Sequence, residues 1–257
     1  MHLTRSLAAV AAALAAGLAG CSRDAVTVVD ASPAEAPTAS TQERAMDLDV
    51  ADLYPQLAGF VRDRSGEFDQ IEPDRKTALE GLADEVARRA VDGEPVRMTF
   101  ICTHNSRRSH MSQLWAQTAA HVYGVPGVVT FSGGTEATAF NPRAVAAVRR
   151  AGFEVVDGGG DNPVYTVRFA DQGPMMECFS KVYDQAPNPS EGFVAVMTCS
   201  AADAACPIVF GAEARISIPY EDPKAFDDTE REAAMYDERC RQIAREMLYV
   251  FSLVELS

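Results

Sequence analysis

The sequence predicts an α/β fold on a parallel sheet covered by helices on both faces. Three observations predict it: short β-type runs alternate with helical periodicity, two runs are continuously apolar as in buried strands, and a strand-to-helix turn carries a cysteine-arginine loop. Sheets of this kind bind ligands at the carboxyl ends of their strands. The loops at those ends are where chemistry is expected.

The chain has 257 residues, 47% of them hydrophobic, with 23 Lys+Arg against 37 Asp+Glu and a net charge of −14. That suits one medium domain with appendages and excludes disorder of the bulk. The acidic balance repels a phosphate backbone, and no basic stripe offsets it, so no nucleic-acid partner is expected. An anionic substrate must be held locally.

Taken in order, residues 1–20 have a short basic start (His2, Arg5) and an Ala/Leu/Val run over 7–18, too short to span a bilayer. They read as a signal peptide. The run ends in Leu18-Ala19-Gly20-Cys21, which resembles the bacterial lipobox, whose cysteine is lipidated. The expectation is an exported protein held to the membrane only through lipid on Cys21, at ~0.8 kcal/mol per buried methylene. A start at Met46 would make it cytoplasmic. Residues 21–46, rich in Ala, Ser, Thr, Pro and charge, read as a flexible tether.

A helical addition is expected over 47–95. Pro73 opens a helix in which Leu79, Leu82, Val86 and Ala90 recur until Asp92-Gly93, and a weaker helical segment covers 48–61. The main domain then runs from 96 to 257. Residues 96–101 read as a strand, 111–122 as a helix and 128–131 as a second strand leading into Ser132-Gly133-Gly134. The next helix opens at Asn141-Pro142, with Val145 and Val148 on one face. After Asp157-Gly158-Gly159-Gly160, segments 164–169 and 178–183 read as a hairpin-like insertion within 157–190. Residues 193–197 and 214–218 read as buried strands. A closing helix carries Tyr236, Cys240, Ile243, Met247 and Phe251 on one face.

The informative stretch is Cys102-Thr103-His104-Asn105-Ser106-Arg107-Arg108-Ser109, between the first strand and its helix. A C-x5-R-S loop wraps its amides around an oxyanion, and the helix N-terminus adds positive potential. Such surroundings favour a thiolate, the nucleophilic form of cysteine. Arg108 returns over the loop to hold two anion oxygens as a fork. Ser109 is placed to donate to Cys102 and Asn105 to brace the loop, while His104 lines the loop or faces solvent. His110 and His121, on the helix, are expected at the surface rather than as ligands, and no His/Cys spacing resembles a zinc site.

This loop, the Ser132-Gly133-Gly134 turn, Asn141-Pro142 and Asp222-Pro223 resemble the low-molecular-weight protein tyrosine phosphatase superfamily. Cys199-Ser200-Ala201-Ala202-Asp203-Ala204-Ala205-Cys206-Pro207 resembles the C-S-x-A-D-x-x-C-P segment of its thioredoxin-coupled arsenate reductases. The resemblance spans about residues 96–254; the helical addition and the insertion are not part of it. It implies a four-stranded parallel sheet of flavodoxin-like order, the phosphatase I type. It also implies that Asp222 is the general acid, a role worth ~10²–10⁴-fold in rate.

By position, the resemblance further implies a relay. Cys102 attacks arsenate, Cys199 attacks Cys102 and releases arsenite, and Cys206 attacks Cys199, leaving a disulfide for a thioredoxin-like dithiol reductant. The alternative is a phosphatase using Cys102, Arg108 and Asp222, with a permanent Cys199/Cys206 disulfide. Cys240 is expected in the core; Cys178 is unassigned. No tightly bound cofactor is expected. Gln113 stands where these reductases often carry Glu near a potassium site, which puts potassium binding in doubt. An exported protein also sits poorly with a cytoplasmic reductant.

Overall fold

The computed structural model describes residues 48–256. The expected signal segment, Cys21, Met46 and the whole of the tether lie outside the described residues. The elements are α1 (Pro55–Ser65), a 3-10 turn (Phe68–Gln70), α2 (Pro73–Val91), β1 (Val96–Cys102), α3 (Arg108–Val122), β2 (Val128–Gly134) and α4 (Pro142–Ala151). There follow β3 (Glu154–Val156), β4 (Tyr165–Arg168), β5 (Met176–Cys178), β6 (Phe193–Met197), α5 (Ser200–Ala205), β7 (Ala212–Ser217), a second 3-10 turn (Pro223–Phe226) and α6 (Glu232–Ser252).

The main sheet has four strands, all parallel, in the order β2-β1-β6-β7. This is the predicted fold class. Period-two alternation divides its side chains: Met98, Phe100, Val194 and Val196 enter the large core, whereas Ile101, Phe193, Ala195 and Met197 enter a small one. The large core lies under α3 and α6, whose Tyr236, Cys240, Ile243, Met247 and Phe251 are all buried, as their spacing predicts. The small core is covered by short α5, through Ala202, and by Val209 and Tyr183.

The chain leaves β1 toward β2 on one side and returns as β6 on the other. That makes the gap between β1 and β6 the topological switch point, where open α/β sheets place ligands. Cys102 ends β1, and Cys199 lies two residues past the end of β6. Register carries them together: Ile101 pairs with Met197, and Thr198 N–H donates to the Ile101 carbonyl at 2.7 Å.

One expectation needs correction. Residues 48–54 are not helical; Tyr54 N–H donates to the Phe169 carbonyl and Leu53 bridges Ala170, so this stretch runs as a strap. The helix begins at Pro55 because proline suits the first helical position while disfavouring helix in the residue before it. The insertion is antiparallel and hairpin-like as expected, with β3 as a third strand in the order β3-β4-β5 and Tyr165 opposite Cys178. Its last strand ends at Cys178 because the next backbone groups are taken elsewhere. Gly134 N–H donates to the Lys181 carbonyl, and Tyr183 N–H to that of Gly134. Among the described residues, no helix is long and apolar enough to cross a membrane.

Candidate active site

β1 delivers Cys102, 3% exposed, to the mouth of a loop that ends where the 15-residue helix α3 begins. The loop carbonyls are tied outward. Thr135 N–H donates to the carbonyl of Cys102, Glu136 N–H to that of Thr103, Ser180 Oγ–H to that of His104, and Asn141 N–H to that of Ser106. The amides of residues 104–107 have no acceptor among the described residues. This polarity suits an anion: acceptors face the protein, and donors are left over at the positive end of a helix.

Gly134 makes the tight ring possible. A β-carbon there would lie 2.7 Å from both Asn105 N and Thr103 O and 2.2 Å from Glu136 O. Asn105 turns the loop in the left-handed region, φ 44°, which asparagine tolerates better than most residues.

A hydrogen-bond chain leads to the sulfur. Lys181 N–H donates to Asn105 Oδ1 at 3.0 Å, which fixes the amide so that Nδ2 donates to Ser109 Oγ at 2.9 Å. Ser109 has one proton to give, and Cys102 Sγ lies 3.1 Å away. Either atom can donate in this pair; toward a thiolate, Ser109 would be the donor. Sequence reasoning singled out Asn105 and Ser109 but missed Lys181, which sits 76 residues beyond Asn105 with no local motif around it.

Arg108 does return toward the site. Its Nη1 donates to the Tyr220 carbonyl and its Nη2 to Asp222 Oδ2, both at 2.8 Å. Arg108 Nε is buried without a partner, a donor left for an oxyanion. Asp222, in turn, accepts from Lys224 N–H at the start of the Pro223–Phe226 turn. The Arg107 side chain is turned to other work: Nε donates to Tyr236 Oη, and the guanidinium lies 3.8 Å from both Asp222 and Asp227. His104 sits at the rim, with Nε2 2.9 Å from Glu136. Thr103 Oγ1 faces Cys199 Sγ at 3.4 Å.

Cys199 is buried and caps α5, its sulfur accepting from Ala202 N–H. Cys206, partly exposed, closes the other end. Cys102, Cys178, Cys199, Cys206 and Cys240 are all free thiols. Seven residues of helical rise separate Cys199 from Cys206 by about 10 Å, beyond the ~7 Å Cα reach of a disulfide. The permanent bridge of the alternative reading is therefore not what this fold holds. Arg215 on β7 holds the helix shut: Nε donates to the Cys206 carbonyl at 3.0 Å, and Nη2 to the Asp203 carbonyl and to Asp203 Oδ1 at 2.7 and 2.6 Å. Ser217 Oγ–H adds a bond to Asp203 Oδ2.

His110 is a second correction. It is fully buried, stacked on Phe140 with Nδ1 3.0 Å from Ser132 Oγ, rather than at the surface. Burial, with the Lys181 charge nearby, holds its pKa well below the usual 6.5, so it is neutral. His121 stays half-exposed and pairs with Asp52. Burial also lowers the Lys181 ammonium to about 8 and raises the thiols of Cys178 and Cys240 to about 12. Those two cysteines are inert core thiols at neutral pH, and Cys240 accepts from Trp115 Nε1. Gln113 gives its amide N–H to the Thr130 carbonyl and leaves Oε1 alone. One amide oxygen does not make the oxygen shell a hard cation needs. Potassium therefore enters no step below. Among the described residues no group of three His, Cys, Asp or Glu side chains converges on a metal site.

A scan against family models and a search of curated proteins both find no match. Among solved structures the chain is similar to a low-molecular-weight phosphotyrosine phosphatase from Vibrio cholerae, at 12% identity and TM-score 0.42, over 60% of this chain and 93% of that one. It is also similar to an arsenate reductase from Archaeoglobus fulgidus (16%, 0.33, 57% and 98%). A third is a thioredoxin-dependent arsenate reductase from Corynebacterium glutamicum (18%, 0.32, 79% and 78%). Identities and TM-scores this low assign neither a family nor an activity.

Proposed function

We propose that the chain is a thiol-dependent arsenate reductase with Cys102 as nucleophile. One observation carries the reading: a second free thiol, Cys199, lies against Thr103, next to the nucleophile, at the end of the neighbouring strand. The Cys102 thiolate attacks arsenic and displaces an oxygen, which leaves as water with a proton from Asp222. The arriving oxyanion takes Arg108 Nε and the loop amides, and competes with Asp222 for the rest of the guanidinium. The Cys199 thiolate then attacks Cys102 Sγ; a disulfide forms, the S–As bond breaks, and its electron pair leaves with arsenic as arsenite. Attack by Cys206 on Cys199 frees Cys102 and leaves a Cys199/Cys206 disulfide, which an external dithiol reduces with two electrons. That last step requires α5 to unwind.

A second reading is a phosphatase that stops at Cys102, Arg108 and Asp222. The folded state of α5 favours it, because hydrolysis needs no unwinding. The discriminating assay is arsenate-dependent NADPH oxidation with thioredoxin and thioredoxin reductase, alongside aryl phosphate hydrolysis. The reductase predicts repeated arsenate turnover lost in Cys102→Ser, Cys199→Ser and Cys206→Ser alike. Aryl phosphate hydrolysis that needs Cys102 alone, with no arsenate turnover, would leave only the phosphatase. The proposed lipid anchor on Cys21 is tested by labelled-lipid incorporation in intact cells, and absence of label overturns it.

A further inference from the structure

Behind the loop that carries Asp222, a cleft of about 320 Å³ opens between the start of α2, residues 219–221 and the middle of α6. Arg75, Arg239 and Arg245 line it. Two of them have carboxylate partners: Arg75 donates from Nε and Nη2 to Glu246 Oε2 at 3.0 and 2.7 Å, and Arg245 Nη1 lies 3.3 Å from Glu67. Arg239 has no carboxylate within 4 Å among the described residues; its Nη1 donates to Gln242. The Nε groups of Arg239 and Arg245 are buried and without partners.

The lining carries three glutamates, Glu72, Glu221 and Glu246, against these three arginines, yet the Nε donors of Arg239 and Arg245 stay unmet. Both oxygens of Glu246 are engaged, one by Arg75 and the other by Gln242 Nε2. Glu72 and Glu221 are exposed. Partial burial of a guanidinium is unfavourable until an anion completes it, and it pulls the pKa of Arg239 below its usual value. A planar fork with spare N–H groups matches carboxylate or phosphate oxygens, and the volume suits a small molecule.

We propose that this cleft is a second anion site, which binds a small organic anion through carboxylate or phosphate oxygens with Arg239 as the central contact. It does not depend on which reaction Cys102 performs. Its position couples it to the catalytic loop. Tyr220 lines the cleft, the Arg75 guanidinium lies 4.7 Å over its ring, and its carbonyl accepts from Arg108. Ser200, which follows Cys199, also lines it. By linkage, an anion in the cleft and an oxyanion in the loop change each other's affinity by the same factor.

The test is calorimetric titration of the reduced full chain with succinate, citrate and inorganic phosphate, in wild type, Arg108→Gln, Arg239→Gln and Arg239→Lys. Arg108→Gln weakens the loop, and binding that survives in it is assigned to the cleft where adding an Arg239 substitution to that variant removes it. At least one probe is expected to bind that variant with Kd below about 10 mM, a modest affinity. Binding of succinate or citrate identifies a carboxylate ligand; binding of phosphate alone identifies a phosphate ligand. Arg239→Gln should weaken that probe at least tenfold. If circular dichroism shows that variant unfolded, Arg239→Lys, which keeps the charge but loses the fork, should still weaken it several-fold. No binding of any probe to Arg108→Gln, or binding indifferent to both Arg239 variants, overturns the proposal.

Discussion

The loop after β1 and the helix after β6 each place a cysteine at the end of neighbouring parallel strands, yet on the proposed reading they serve opposite purposes. The Cys102 loop is fastened from three sides: by the β2–α4 connection, by Ser180 and Lys181, and by its own Asn105–Ser109 bond. α5 is six residues long, buries only Ala202 and is fastened at its end by the side chains of Arg215 and Ser217. A nucleophile that must meet a transition state needs donors already in place. A relay that must pass a disulfide along needs a segment of low local stability. Fixity and looseness are placed one strand apart.

The largest expected effect lies at the loop's acid. Asp222→Asn should lower kcat for an aryl phosphate by about 10²–10⁴, while Cys102 stays alkylatable; unchanged kcat would remove Asp222 from the chemistry. Next is Gly134→Ala, whose new methyl would fall 2.7 Å from the loop backbone. It should cost about 1–3 kcal/mol by overpacking, read in a urea midpoint, and weaken phosphate binding. Full retention of both would mean the loop is as loose as α5.

Arg215→Gln sharpens the other side of the comparison. Its contacts with Asp203 and Cys206 are partly exposed, so about 1 kcal/mol of latch is at stake. Formation of the Cys199/Cys206 disulfide after arsenate should speed up about fivefold, with aryl phosphate hydrolysis unaltered. A slower relay would show that Arg215 promotes rather than restrains it.

The smallest effect concerns Lys181. Burial lowers its ammonium from 10.5 to about 8, so between those values the unfolded chain binds more protons and stability rises with pH. The burial penalty is full below pH about 8. Lys181→Met should therefore gain about 1–3 kcal/mol over wild type near pH 7, and the gain should shrink as pH climbs past about 8. Above pH about 9 the buried Cys178 thiol, raised to about 12, acts in the opposite sense, so the window of interest ends there. A gain independent of pH would show that Lys181 keeps its proton in the fold as it does unfolded, so that burial does not lower its pKa.

The strands, the closing helix and the cysteine loop were legible because their signals are local: a continuous apolar run at 193–197, a helical stripe from Tyr236 to Phe251, and the C-x5-R spacing of Cys102 and Arg108. The relations that position them are long-range and leave no such trace. Nothing near Arg215 announces that it will hold Asp203 and Cys206, and nothing near Lys181 that its backbone will orient Asn105. His110 was expected at the surface, and nothing beside it in the sequence announces its Ser132 and Phe140 partners, which come from the next strand and the loop beyond it. The strap over 48–54 was misread because its apolar residues serve an extended path that ends at Pro55.

The central claim is that three thiols act in sequence. It is tested most directly by adding one equivalent of arsenate to the fully reduced full chain without external reductant, quenching with acid, alkylating free thiols and mapping the peptides by mass. The account predicts one arsenite per chain, a disulfide joining Cys199 to Cys206 and an alkylated Cys102; in Cys206→Ser, the disulfide should instead join Cys102 to Cys199. Recovery of Cys102, Cys199 and Cys206 all alkylated, with arsenate unreduced, would contradict it.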